Sequence, residues 1–258
     1  MRRRSARLYR GDAARSRATW RALLALLLVA FVAPAQPEAL PEPAAFSSMH
    51  AGGPLDPWTR VAIAVGKKRT QYDLVLDGAH PVLHAMADGA ASALAFPLHV
   101  DLVATPLLVW RWKIAAPIPD ADPAVATQED SPARVVLEFD GDIGRLPPIE
   151  RGIYGIAEHV AGRKLPYATL MYIYANDLPV GTVVPNPRTR RVQMVVAASG
   201  AGEAGVWESE RRNVRDDFRR AFGEEPGPLV AIGVLTDSDN THSHAEAWYG
   251  DLRLEPAH

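Results

Sequence analysis

The stretch LVAIGVLTDSDNTHSHAEAWYGDLRL, residues 229–254, decides the fold. Leu229–Leu235 is a short, almost wholly apolar run. Ala245–Leu254 is a second strand-like run, rich in aromatic and branched residues. Runs of this length and composition form strands rather than helices. Between them lies a turn dense in oxygen ligands: Thr236, Asp237, Ser238, Asp239, Asn240 and Thr241. The reading is a β-hairpin closing a sandwich, with a polar loop at its tip.

The same rhythm extends toward the N-terminus. Tyr72–Leu76 ends at Asp77-Gly78, a strong hairpin signal. Val82–Ala87, Ser92–Val100, Leu107–Ile114, Arg134–Phe139, Ala168–Tyr174 and Arg191–Ala198 follow as candidate strands. Pro117–Pro132 is a Pro/Asp/Ala loop. Two segments break the β rhythm. Ile149, Ile153, Ile156 and Val160 recur at helical spacing, with Gly162 to close the helix. Asn213–Phe222 is a second helix, with Asn213 as N-cap, Val214, Phe218 and Phe222 as its apolar stripe, and Gly223 and Pro226 beyond it. Strands dominate, so the expected fold is all-β: a jelly-roll-like β-sandwich with two short helical insertions.

Residues 1–35 read as a signal peptide. Eight arginines precede an apolar run, Ala22–Ala33, that ends at Ala33-Pro34-Ala35, a small-x-small cleavage pattern. The run is too short to span a bilayer, which takes about 20 apolar residues. Residues 36–45 are a Pro/Ala/Glu-rich flexible lead-in, and 46–258 form one domain. The expected location is periplasmic or secreted, with no stable membrane span after cleavage. Formal charge is −2 for the chain, and the first 35 residues carry +7, which leaves −9 on the remainder. Such an acidic domain is a poor nucleic-acid binder, because that binding rests on Lys and Arg meeting phosphates. There is no cysteine, so disulfides, thiolate metal sites and cysteine nucleophiles are all excluded.

Strand alternation sorts candidate site residues by face. In Leu107–Ile114, Leu108, Trp110, Trp112 and Ile114 share one face, and Arg111 and Lys113 the other. In Arg134–Asp140, Val135, Leu137 and Phe139 share one face, and Arg134, Glu138 and Asp140 the other. If these strands are neighbours, Arg111, Arg134 and Glu138 converge on one surface. That surface is either a solvated face with ordinary ion pairs or a polar binding surface whose guanidinium forks hold carboxylates or sugar hydroxyls. Trp110 and Trp112 are either core or a sugar-stacking platform, and core is the commoner fate of such a pattern. The loop acids Asp237 and Asp239, with Asn240, offer the hard oxygens that calcium takes. Asp251 on the returning strand completes a candidate metal set of Asp237, Asp239 and Asp251. Asp and Asn also cap their own turns, which accounts for the loop without a metal. His242 and His244 add a possible two-histidine pair. No nucleophile elbow, zinc-protease motif or phosphate-cradling loop is present.

Several blocks, taken in order, resemble a bacterial family known as domain of unknown function 3047. They are LLVWRWKI (107–114), EDSPARVVLEFDGD (129–142), LPYATLMYIYAN (165–176), RNVRDDFRRAFGEEPG (212–227) and TDSDNTHSHAEAWYGDLRL (236–254). The resemblance covers roughly Phe46–Leu254. It implies an exported or envelope-associated protein with Asp130, Arg134, Asp237, Asp239 and Asn240 inside its signature blocks. It implies no activity. A looser similarity joins Phe46, the Gly-Gly-Pro turn, Trp58 and the ending AWYGDLRL to galactose-binding-type jelly-roll carbohydrate-binding modules. In those modules a carboxylate near the last strand helps hold structural calcium, and Asp251 stands in the comparable place.

The expected ligand-binding residues are therefore Arg111, Asp130, Arg134, Glu138, Arg212, Asp237, Asp239 and Asn240. The expected function is non-catalytic binding of a glycan or another polar envelope ligand. One alternative is a carbohydrate-active hydrolase or lyase using Glu138 or Asp140 with Arg134. Another is an envelope scaffold, which would show a large exposed apolar patch.

Overall fold

A computed structural model describes residues 42–63, 66–161 and 164–257. The expected signal peptide and Gly162 lie outside the described residues, as does most of the lead-in. Among the described residues, thirteen strands form two sheets. They are β1 (Thr59–Ala62), β2 (Gln71–Asp77), β3 (His80–Asp88), β4 (Ala91–Val100), β5 (Leu107–Ile114), β6 (Ser131–Phe139) and β7 (Ala168–Ala175). The others are β8 (Val183–Pro185), β9 (Val192–Ser199), β10 (Glu208–Asn213), β11 (Leu229–Asp237), β12 (His244–Tyr249) and β13 (Arg253–Glu255). The larger sheet runs β1-β4-β11-β6-β7-β9-β8, and the smaller runs β10-β5-β12-β3-β2, with β13 also on β5. All pairings are antiparallel except β7 with β9. The all-β sandwich read from the sequence is the architecture found.

The two sheets close on one apolar interior. Leu108, Trp110, Trp112 and Ile114 of β5 face Val135, Leu137, Tyr172 and Tyr174 of the larger sheet. Trp110 stacks on Tyr172 with ring centroids 5.0 Å apart. Both tryptophans are core, which settles the choice between core and stacking platform. Phe46 and Trp58 stack at 4.7 Å and plug one flank of the same core. The hairpin at Asp77-Gly78 forms as read, with Gly78 at φ 63°, a backbone region where a side chain is strained.

The sequence reading misses three strands: β1, β8 and β10. Two are only three or four residues long, and β10 (ESERRN) carries no apolar alternation. It also joins β12 and β13 into one strand. Both pair with β5, but Gly250–Leu252 interrupts them.

The two helices are α1 (Pro148–Ala161) and α2 (Val214–Phe222). On α2, the Asn213 side chain accepts from the Asp216 N–H, and Gly223 takes the left-handed C-terminal position at φ 73°. Val214 and Phe218 are buried as the stripe requires. On α1, Ile149 is exposed, and the anchor is Tyr154. Its hydroxyl donates to the carbonyls of Pro166 and Tyr167.

β5 and β6 are consecutive in the chain but lie in different sheets, so Arg111 and Arg134 do not converge. Nor does β6 keep a solvated face: all nine of its residues are buried. Its second face belongs to a further apolar cluster with Met171, Ile173, Met194 and Val196. Trp112 is fully buried between the sheets. Trp112→Ala is expected to cost about 3–5 kcal/mol of unfolding free energy, measured by urea denaturation.

Candidate functional site

The larger sheet has two polar ends. β6 runs antiparallel to β11, with Ser131 beside Asp237 at one end and Phe139 beside Leu229 at the other. Each end gathers its own set of side chains.

At the Asp237 end the structure assembles most of the sequence-predicted residues. The Arg134 guanidinium, 1 % exposed, forks onto Asp237, with Nε donating to Oδ1 at 2.8 Å and Nη2 to Oδ2 at 3.0 Å. Its Nη1 donates to Glu129 Oε1 at 2.9 Å, and Arg188 donates to the other Glu129 oxygen at 2.8 Å. Arg188 also reaches the Ala126 carbonyl and Asn240 Oδ1. Asp130 accepts from the Asn240 and Thr241 backbone N–H groups and from both their side chains. Lys67 pairs with Asp239. Alternation along β6 sends Arg134 away from the sandwich interior. The loop leading into β6 and the connection from β8 to β9 close over it through Glu129 and Arg188.

Carboxylate oxygens of Asp130, Asp237 and Asp239 lie within 4.8 Å of one another. Their charge is already answered by protein cations. Four acids (Glu129, Asp130, Asp237, Asp239) meet Arg134, Arg188 and Lys67. Asp130 uses both oxygens to fix the turn that follows β11. Three cations against four acids, with Asp130 held by N–H and O–H donors, fit a largely self-compensated ionic cluster better than a calcium cage. Asp251 is not part of it: its oxygens accept from the Ser47 N–H and hydroxyl in another region. The expected set of Asp237, Asp239 and Asp251 is therefore not brought together. His242 and His244 do not share a strand either, since His242 sits in the turn at φ 56°.

Burial dominates the electrostatics of this cluster. It pushes Asp237 up to about 7, helped by Asp130 and Glu129 and opposed by Arg134. Burial alone would lower Arg134, but Asp237 and Glu129 more than offset it and keep the guanidinium protonated. Burial also lowers Lys67, with Arg188 adding to the effect.

Three predicted residues stand apart from this cluster. Glu138 lies two steps beyond Val136 on the same face of β6 and is 1 % exposed, so it does not meet solvent. Arg212 forks onto Asp217, which also accepts from Tyr172 and Arg220, and this ties α2 to the core. Arg111 lies on the outer face of the smaller sheet, its guanidinium 4.6 Å from the Trp207 ring.

At the Phe139 end lies an open cleft of about 960 Å³. Its walls are the Asp140–Pro147 turn after β6 with Glu150 at the start of α1, Tyr167 before β7, Val183 and Pro185 of β8, Arg190–Gln193 at the start of β9, and Ala221–Gly227 from the end of α2 onward. One wall is prearranged. Arg191 lies 4.0 Å over the Tyr167 ring, and both donate to Glu224 at 3.0 Å. Gly141 is pressed against the same ring, where a Cβ would collide with it. Arg190, exposed on the rim, forms no ion pair among the described residues. Of this cleft, the sequence marks Asp140 as a catalytic alternative, Asp142 among the plentiful acids, and Tyr167 as an aromatic candidate for stacking on a sugar. The cleft residues come from five segments that share no motif.

A different pair carries the clearest pH signal. Glu208 and Glu210 alternate on β10, across from Trp112 and Trp110. Burial, then the charge of Glu208, pushes Glu210 up from 4.5 to about 7. The folded state therefore holds a proton between these values that the unfolded state releases, and stability from this group falls as pH rises through that window. Glu210→Gln mimics the protonated form. Urea denaturation from pH 5 to pH 8 is expected to shift in favour of the variant as pH rises, and to level above about 7. Removal of Arg134 strands two buried carboxylates, so Arg134→Ala is expected to cost about 3–5 kcal/mol in the same assay.

No curated protein matches this chain. A family model described as "Protein of unknown function (DUF3047)" matches residues 56–253, most of the chain and every element from β1 to β12. The ionic cluster, the cleft and the sandwich that holds them are thus features of a member of that family, to which this chain belongs.

Proposed function

We propose that this protein is an exported, non-catalytic binder of a glycan or a similar polyhydroxylated envelope ligand, and that the cleft at the Phe139 end receives it. The observation that carries this reading is the mixed lining of the cleft. Asp140, Asp142, Glu150, Glu224 and Glu225 alternate with Arg145, Arg190, Arg191 and Gln193. Closely spaced acceptors and donors suit neutral hydroxyl groups, each of which donates and accepts. An excess of carboxylates disfavours phosphate-like anions. The volume falls in the range of small-molecule sites. Recognition is by hydrogen bonds rather than stacking, because Arg191 and Gly141 already engage the Tyr167 ring.

The hydrolase alternative loses its principal candidates, since Arg134 and Glu138 are buried and cannot touch a substrate. No helix among the described residues is long and apolar enough to cross a membrane.

Isothermal titration with neutral envelope oligosaccharides tests the proposal. Arg190→Ala and Asp142→Asn are each expected to weaken binding roughly 10-fold, about 1.4 kcal/mol, without changing the melting temperature. Silence of the wild-type protein across the panel would refute it. The proposed export is checked by N-terminal sequencing of the protein from its native host, with Gln36 expected as the first residue.

A further inference from the structure

The outer face of the smaller sheet holds a second, smaller site. β12 and β13 both pair with β5, and the chain steps away between them at Gly250, Asp251 and Leu252. The step falls beside Arg111, whose carbonyl accepts from the Gly250 N–H at 2.9 Å. It opens a pocket of about 270 Å³ that Arg111, Arg253, Ser47, Ser209 and Asp251 line.

Arg111 is held in place there. Its side chain crosses Gly250 so closely that a Cβ at Gly250 would sit 2.6 Å from Cγ and 2.7 Å from Nε. The Trp207 ring packs on the guanidinium, 4.6 Å away. The backbone of Gly250 is not in the left-handed region, so the close approach alone requires glycine.

Nearby cations on this face have carboxylate partners: Lys113 pairs with Asp77, and Arg211 with Glu255. Arg111 and Arg253 form no ion pair among the described residues. They are diagonal neighbours, since Arg253 lies opposite Val109, two residues from Arg111. Like charges so placed repel. Asp251 lines the same pocket, and each of its oxygens accepts one hydrogen bond from Ser47, which leaves room to accept another.

We propose that this pocket binds a small hydroxylated carboxylate of the sugar-acid type, such as a uronate unit. The two guanidiniums take the carboxylate, for which their fork geometry is suited. Ser209 and Asp251 face the hydroxyls. Asp251 disfavours a dianionic phosphate more than a monoanionic carboxylate. The volume lies just below the range of drug-sized pockets and admits one such unit. The site is separate from the cleft at the Phe139 end and does not depend on the role proposed for it.

Titration with sodium glucuronate, against glucose and inorganic phosphate at fixed ionic strength, tests the assignment. Saturable glucuronate binding is expected, at least about 10-fold tighter than either control. Arg111→Ala, Arg253→Ala and Gly250→Ala should each weaken it about 10-fold or more, the last by displacing Arg111. Arg111→Lys should also weaken it, because it keeps the charge and loses the fork. Arg190→Ala, in the other cleft, should leave it unchanged. A glucuronate oligomer that binds more tightly than the monomer marks a polysaccharide as the source, and equal affinity marks the free acid. Thermal melts identify any variant that fails to fold, and Arg253→Ala, at an exposed position, then carries the test. No saturable glucuronate binding, equal binding of phosphate, or unchanged affinity in both Arg111→Ala and Arg253→Ala would overturn the proposal.

Discussion

The buried fork between Arg134 and Asp237 is the constraint on which much of this fold depends. It joins the fourth residue of β6 to the last residue of β11, neighbouring strands in the middle of the larger sheet. A guanidinium cannot be buried there unless every donor finds an acceptor, and Asp237, Glu129 and the Glu129 carbonyl supply them. Satisfying Arg134 therefore fixes the loop that carries Glu129 and Asp130. Asp130 in turn caps the turn after β11, and Arg188 brings the connection from β8 to β9 over the sheet. One buried cation thus organises three otherwise irregular segments. The free-energy gain of such clusters over apolar packing is small, but breaking them is costly, so they confer specificity of arrangement more than stability.

That organisation also separates support from recognition. The larger sheet spends its charged residues at the Asp237 end on holding itself together, and little of them meets solvent. At the Phe139 end, strands and helix α2 finish at different heights and leave a cleft whose polar groups remain reachable. On the smaller sheet, Trp207 from the connection into β10 packs on Arg111, and the step at Gly250 leaves a pocket beside it. Burial decides which polar residues are structural and which can meet a ligand.

The sequence made much of the fold legible. Alternation located most of the longer strands, and the Asn213 cap, the α2 stripe and the Asp77-Gly78 turn formed as their chemistry requires. The loop 236–241, with Asn240, and Arg134 were marked from their residue types, Asp130 from the family resemblance, and they do come together. Short strands such as β8, and the charged edge strand β10, were not legible, because pairing with a neighbour rather than their own pattern makes them strands. The alternation of β6 was read as one apolar and one wet face. Its second face is dry, because loops distant in sequence fold over it.

The sequence by itself determined the β-rich class, the lack of thiol chemistry, the acidic domain after a basic leader-like segment, and which residues can carry charge. Only the tertiary structure decided where those charges lie. It placed β5 and β6 in different sheets, parted Arg111 from Arg134, moved Asp251 away from Asp237 and Asp239, and built the cleft from five separate segments. The physical reason is that periodicity is local and fixes the face of a strand. Which strand lies beside it, and what covers it, is set by non-local packing and by the demand that each buried charge meet its partner.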